Sequence, residues 1–126
     1  MSPRGVEFIV GARNDLQWGA IIVVGFGGVQ AEILKDVRLL VPGMSTTDIQ
    51  RELNLLKSAP LLHGFRGSPA LDMGALTTLI VRLGNWLPSE PSIHELDLNP
   101  VMVYPVGQGV LALDALIQVV FPAGRF

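Results

Sequence analysis

Apolar positions along this chain change period twice, from two to about 3.6 and back, and the changes divide it into a strand-rich start, a helical middle and a strand-rich end. VEFIVGA (Val6 to Ala12) and AIIVVGF (Ala20 to Phe26) are short runs rich in β-branched residues. They flank RNDLQWG, a stretch of turn formers, and predict a hairpin. A third strand is predicted from about Ile33 to Val41, where Val37, Leu39 and Val41 alternate with Asp36, Arg38 and Leu40 before Pro42-Gly43. In MSTTDIQRELNLLKSAP, Ser45 and Asp48 have capping-box spacing and Ile49, Leu53 and Leu56 fall at i, i+4 and i+7, so a short amphipathic helix is predicted, closed by Lys57 and Pro60. After the loop LLHGFRGSP, Ser68 and Pro69 take the cap and first-turn positions of a second predicted helix. Leu76, Leu79, Ile80, Leu83 and Leu87 form its apolar stripe and Pro88 stops it. IHELDLNPVMVYP and GVLALDALIQVV read as two strands joined by a tight turn. The order β-β-β-α-α-β-β predicts a single α+β domain over residues 1–126, a mainly antiparallel sheet with helices on one face.

Composition narrows the function. A chain of 126 residues that is 49% hydrophobic and 16% charged has the length and content of one ordered domain. A net charge of -2 and a pI near 5.5 supply no basic stripe for phosphate backbones, which argues against a nucleic-acid partner. The absence of cysteine removes disulfide and thiolate chemistry and fits a reducing compartment, so a cytoplasmic location is expected. Mean hydropathy is positive, at +0.46. Yet the uncharged apolar run WGAIIVVGFGGV is 12 residues long with four glycines, short of the roughly 20 that a spanning helix needs. MSPRGVEF lacks a signal-peptide layout, and no membrane association is expected.

The last hairpin carries the chemistry. In HELDLNPVMV, Glu95, Asp97 and Asn99 occupy alternate positions of an otherwise apolar strand. A four-residue loop, Pro105 to Gln108, would set Tyr104 opposite Gly109. Extending that antiparallel register puts Asn99 directly opposite Asp114, on the same face. Asp114 is the only charged residue between Asp97 and Arg125, and a carboxylate in VLALDALI is costly if buried alone. Asp97, Asn99 and Asp114 would together present hard oxygens of the kind magnesium takes, one or two carboxylates completed by phosphates and waters. A one-residue slip would separate Asp114 from Asn99. The same residues would also suit an exposed polar face with Asp114 near its edge.

The segment VVGFGGVQAE contains Gly25, Gly27 and Gly28, which permit close approach of a backbone or a phosphate. A dinucleotide fingerprint is excluded, because Gln30 stands where a third glycine is required and strand rather than helix follows. Alone, such glycines more often mark a hairpin or a bulge. His63 reads as a surface histidine and His94, alternating with Leu96 and Leu98, as structural. Arg66 reads as ordering its loop ahead of clamping an anion, and Trp18 and Trp86 as packing residues.

GVEFIVGARND, VGFGGVQAEILKDV, LLHGFRG and ELDLNPVMV…ALDALI, in this order and spacing, resemble the C-terminal half of the ATP-grasp domain of nucleoside-diphosphate-forming acyl-CoA synthetases, of the ADP-forming acetyl-CoA synthetase beta-subunit type, and more distantly the succinyl-CoA synthetase beta chain. The resemblance runs from about Gly5 to Ile117. It implies Asp97, Asn99 and Asp114 as magnesium ligands with Glu95 as a further neighbour, Gly27 and Gly28 approaching the transferred phosphate, and Glu32 matching the family's glutamate beside them. It implies Mg and ATP/ADP as cofactors. The implied reaction is acyl-CoA, ADP and phosphate to acid, CoA and ATP, through acyl phosphate and phosphohistidine. In place of the family's Asp-Pro-x-Phe-Gly-Pro loop stands Asp15-Leu16-Gln17-Trp18-Gly19-Ala20, without either proline, and the segment after Asp36 is one residue shorter. The family's N-terminal ATP-grasp half, which supplies lysines and an adenine clamp, and its CoA-binding domain have no counterpart here; Lys35 and Lys57 are the only lysines. The resemblance therefore implies a piece inactive alone, partnered by those missing parts. The rival expectation is a non-catalytic association module that keeps the fold and docks onto another subunit or forms a homodimer.

Overall fold

The computed structural model describes residues 5–27 and 36–120. Among these residues there is a six-stranded antiparallel sheet with two α-helices on one face, as the α+β pattern predicts. The strands are β1 (Val6–Asp15), β2 (Gly19–Phe26), β3 (Val37–Leu40), β4 (Ile93–Val103), β5 (Val110–Ala112) and β6 (Ala115–Val119). The helices are α1 (Thr46–Leu53) and α2 (Met73–Trp86), each followed by a short 3-10 turn, Ala59–His63 and Leu87–Ser89. The sheet order is β3-β2-β1-β4-β5, with β6 continuing along the same side of β4 as β5.

One face is closed. Phe8, Val10 and Ala12 of β1, Ile22, Val24 and Phe26 of β2, Leu40 of β3 and Leu96, Leu98, Val101 and Val103 of β4 share one core with Ile49, Leu53 and Leu56 of the α1 region and Leu76, Ile80, Leu83 and Leu87 of the α2 region. The Phe8 and Phe26 rings, directly opposed across β1 and β2, meet with centroids 4.3 Å apart. The helix α1 begins where its cap predicts, with Ser45 Oγ accepting the Asp48 N–H. Arg38 of β3 reaches Glu52 of α1 at 2.8 Å. The buried Asp36 carboxylate accepts the N–H groups of Lys57 and Ser58, tying the start of β3 to the chain beyond α1.

Several boundaries differ from expectation. The first two strands run to Asp15 and from Gly19, because Asp15 Oδ1 accepts the N–H groups of Gln17 and Trp18 and closes a three-residue loop without the family's prolines. Those two hydrogen bonds, the Trp18 one foremost, hold the Asp15 carboxyl below the usual aspartate range. Among the described residues the third strand covers Val37–Leu40; the first part of its expected span lies outside them. The second helix starts at Met73 rather than at Ser68-Pro69, because Leu71 is held in a bridge to Pro105 and Asp72, not Ser68, supplies the cap. The last expected strand is two, β5 and β6, interrupted at Leu113-Asp114.

Candidate functional site

The face of the sheet away from the helices is open. Adjacent strands place Ile9, Gly11 and Arg13 of β1 beside Ile21 and Val23 of β2 and Glu95 and Asp97 of β4, around a shallow depression of about 290 Å³. Cross-strand pairing orders these residues in rows: Arg13 stands between Ile21 and Glu95, and Gly11 between Val23 and Asp97. Gly11 leaves space beside Asp97, since the nearest atom to a Cβ there would be the Leu96 carbonyl oxygen at 3.8 Å. Arg13 and Gly11 were not singled out from the sequence; the alternation of Val10 and Ala12 with their neighbours was the signal that could have shown them.

The hairpin register is the expected one. Tyr104 N–H donates to the Gly109 carbonyl at 3.0 Å, Val101 pairs with Ala112, and Leu98 pairs with Ala115. Asn99 N–H donates to the Asp114 carbonyl at 3.2 Å, so these residues are directly opposed. Asp97 pairs with Leu116, which makes Asp97 and Asp114 diagonal neighbours, about 7–8 Å apart at this spacing. Asp97 is half-buried, and Glu95, Asn99 and Asp114 are exposed. Asp114 Oδ1 accepts the N–H of Ala115, and neither ion pair among the described residues involves Glu95, Asp97 or Asp114. Two carboxylates and a carboxamide on one open strand pair make a donor set suited to a hard cation that brings further oxygens with it. Among the described residues no three acidic or histidine side chains converge as a complete metal cage.

Within β4, Asn99 and Pro100 together oppose Ile9 of β1, a β-bulge, and their peptide bond is cis. A second irregularity falls between Ile93 and Glu95. His94 lies there, exposed, rather than in the buried row of Leu96 and Leu98. Trp18, 75% exposed on the β1–β2 loop, is not a packing residue, and Trp86, 38% exposed at the end of α2, packs only in part. Arg66 stacks over the Phe65 ring at 5.2 Å, with positive φ in an exposed turn. His63 is exposed and hydrogen-bonded to Asn54.

Of the glycine segment, Gly25 has a steric reason: a Cβ there would lie 2.5 Å from the Asp36 carbonyl oxygen. Gly27 N–H donates to the Glu7 carbonyl at 2.8 Å, and a Cβ on it would crowd the Glu7 and Phe8 backbone at 3.3–3.4 Å. Gly28 and Glu32 lie outside the described residues.

The ATP-grasp domain sequence pattern matches residues 1–119. A trans-feruloyl-CoA synthase of an unknown prokaryotic organism is 56% identical over 119 residues, 94% of this chain and 17% of that protein. The beta subunit of an ADP-forming acetate–CoA ligase I of Pyrococcus furiosus is 36% identical over 91% of this chain and 49% of its own length. Among solved structures, the acetyl-coenzyme A synthetase 1 of Ca. Korarchaeum cryptofilum, in complex with coenzyme A and Mg-AMPPCP, superposes with a TM-score of 0.85 at 36% identity, over 94% of this chain and 55% of that one. This chain thus spans about half the length of the beta subunit and about a sixth of the feruloyl-CoA synthase.

Proposed function

This chain belongs to the ATP-grasp domain family, and we propose that it is the magnesium- and phosphate-binding half of an ADP-forming acyl-CoA synthetase, acting as the C-terminal subdomain of the ATP-grasp fold. The observation that carries this reading is the opposition of Asn99 and Asp114, with Asp97 two residues along on the same open strand pair. Asp97, Asn99 and Asp114 would hold the magnesium, with Glu95 at its border. Bound there, magnesium would offset the charge of the nucleotide phosphates, which is what phosphoryl transfer chiefly requires. The chain's own contribution is to hold those oxygens at fixed spacing on a sheet whose other face is packed solid. Gly27, Gly28 and Glu32 would lie toward the transferred phosphate.

In the whole enzyme the reaction would be acyl-CoA, ADP and phosphate to acid, CoA and ATP. The adenine clamp and the CoA-binding domain would come from the lengths of the relatives that this chain does not match, and the chain alone would not turn over. Among the described residues no helix is long and apolar enough to cross a membrane. With no cysteine in the chain, a cytoplasmic enzyme is the fitting setting.

A second reading is favoured by one observation: Leu111, Leu113, Leu116, Ile117, Val119 and Val120 are exposed along the β5–β6 edge. An association module, including a homodimer, would use that edge and leave the acidic residues idle.

Manganese titration of the isotopically labelled chain separates the two. Broadening centred on Asp97, Asn99 and Asp114, with or without ATP, is the expected result. Broadening centred elsewhere, or none with nucleotide present, overturns the metal-side reading. Gel filtration of the chain and of Leu116→Asp then tests association, a dimer that the edge substitution dissociates supporting the second reading.

A further inference from the structure

Three segments meet at Asp72. Its Oδ1 accepts the Ala75 N–H at 3.1 Å and caps α2. Its Oδ2 accepts the N–H groups of Gly107 at 3.1 Å and Gly109 at 2.9 Å, in the turn between β4 and β5. Its backbone N–H donates to the Tyr104 carbonyl at 2.8 Å, and beside it Val106 N–H donates to the Ala70 carbonyl at 3.0 Å. Gly107 and Gly109 have φ of +86° and +81°, a backbone that side-chain-bearing residues resist, so this turn needs both its glycines and an acceptor for their N–H groups.

The strands beyond the turn do little to fix their own pairing. Register is strongly specified where one face is buried, since a one-residue slip then exposes the apolar set. In β6, however, all five residues of Ala-Leu-Ile-Gln-Val are exposed, apolar side chains occupy both faces, and a slip would change burial little. In β5, Leu111 and Ala112 are exposed and Val110 is half-buried. What remains to choose the register is the turn.

We propose that Asp72 is the positioning residue that locks the β4–β5 turn in one register and so keeps Asp114 opposite Asn99. Its functional consequence rests on the metal-side reading above, but the register is observable without any metal.

The test uses the whole 126-residue chain carrying Asp72→Ser. Serine keeps a good helix cap, while its single short hydroxyl cannot also reach two turn amides. In the metal-free chain, the amides of Asn99 and Leu113, which bond to the Asp114 and Pro100 carbonyls, are expected to exchange with solvent at least tenfold faster, while amides of β1 and β2 keep their rates. Manganese broadening at Asp114 should fall while that at Asp97 persists. Unchanged exchange at Asn99 and Leu113 overturns the proposal. Should Asp72→Ser lose all protection through global unfolding, Asp72→Asn, which keeps one acceptor oxygen, decides: selective acceleration at the same two amides supports the proposal, and wild-type rates there overturn it. If the unsubstituted chain shows no manganese effect but Asp72→Ser still frees those amides, the metal reading falls and the positioning role stands.

Discussion

On the closed face of the sheet, Phe8, Val10, Val24, Val101 and Val103 are fully buried beneath two helices, whereas on the open face Glu95, Asn99 and Asp114 are exposed and Asp97 is half-buried. Both faces come from the same strands, one residue apart. The closed face uses large apolar side chains to hold the backbone, and the open face spends the resulting rigidity on spacing a few oxygens. On the proposed function, loss of a side chain should therefore be felt as stability on one face and as ligand binding on the other.

The comparison is broken most severely by Phe8→Ala, which empties the closed face at the Phe8–Phe26 ring pair. A loss of about 3–5 kcal/mol is expected in urea denaturation, and a loss below about 1 kcal/mol would show that the core does not depend on this contact. Gly25→Ala comes next. The new methyl would meet the Asp36 carbonyl oxygen, and overpacking of this kind costs about 1–3 kcal/mol.

Asp72→Ala should cost about 1–2 kcal/mol through the lost helix cap. The Asp72 carboxyl is held below the usual aspartate range by the hydrogen bonds from Ala75 and then Gly109 and Gly107. Because the folded value is depressed, its contribution is fully present above the ordinary aspartate range and disappears as pH falls through the folded value. Denaturation of the wild type and of Asp72→Ala should accordingly converge in acid; a constant gap down to pH 2 would mean that the carboxylate charge is not what stabilises. The smallest stability effect belongs to the open face, where Asp97→Ala and Asp114→Ala should each stay within about 0.5 kcal/mol of the wild type while, on the proposed metal-side reading, weakening manganese broadening. A large destabilisation there would erase the division of labour between the faces.

Much of this was legible in the chain. Alternation located β1, β2 and β4, and the Ser45 cap located α1, because those signals are local. The Asn99–Asp114 opposition followed from the length of one loop, since antiparallel pairing propagates without further information. The start of α2 was misplaced because Ser68-Pro69 imitates a cap, while the residue that does cap, Asp72, takes its importance from Gly107 and Gly109, more than thirty positions away. His94 was assigned to the wrong row because a bulge interrupts the alternation near it. Trp18 and Trp86 were both read as packing residues, yet size and apolarity do not tell a packed aromatic from one on a loop tip, where Trp18 is 75% exposed, or at a helix end, where Trp86 is 38% exposed.

The bulge at Asn99-Pro100 also bears on how this strand tolerates change in length. Before it the inward residues are even-numbered, Leu96 and Leu98; after it they are odd-numbered, Val101 and Val103. The pair works as a frame shift in a two-letter code of inside and outside. Deleting either residue would leave a single outward residue between Leu98 and Val101 and restore plain alternation against β1, so both halves would keep their faces; the cost would fall on the other side, where Leu113 and Asp114 would then face one residue instead of two and the Asn99–Asp114 opposition would be lost.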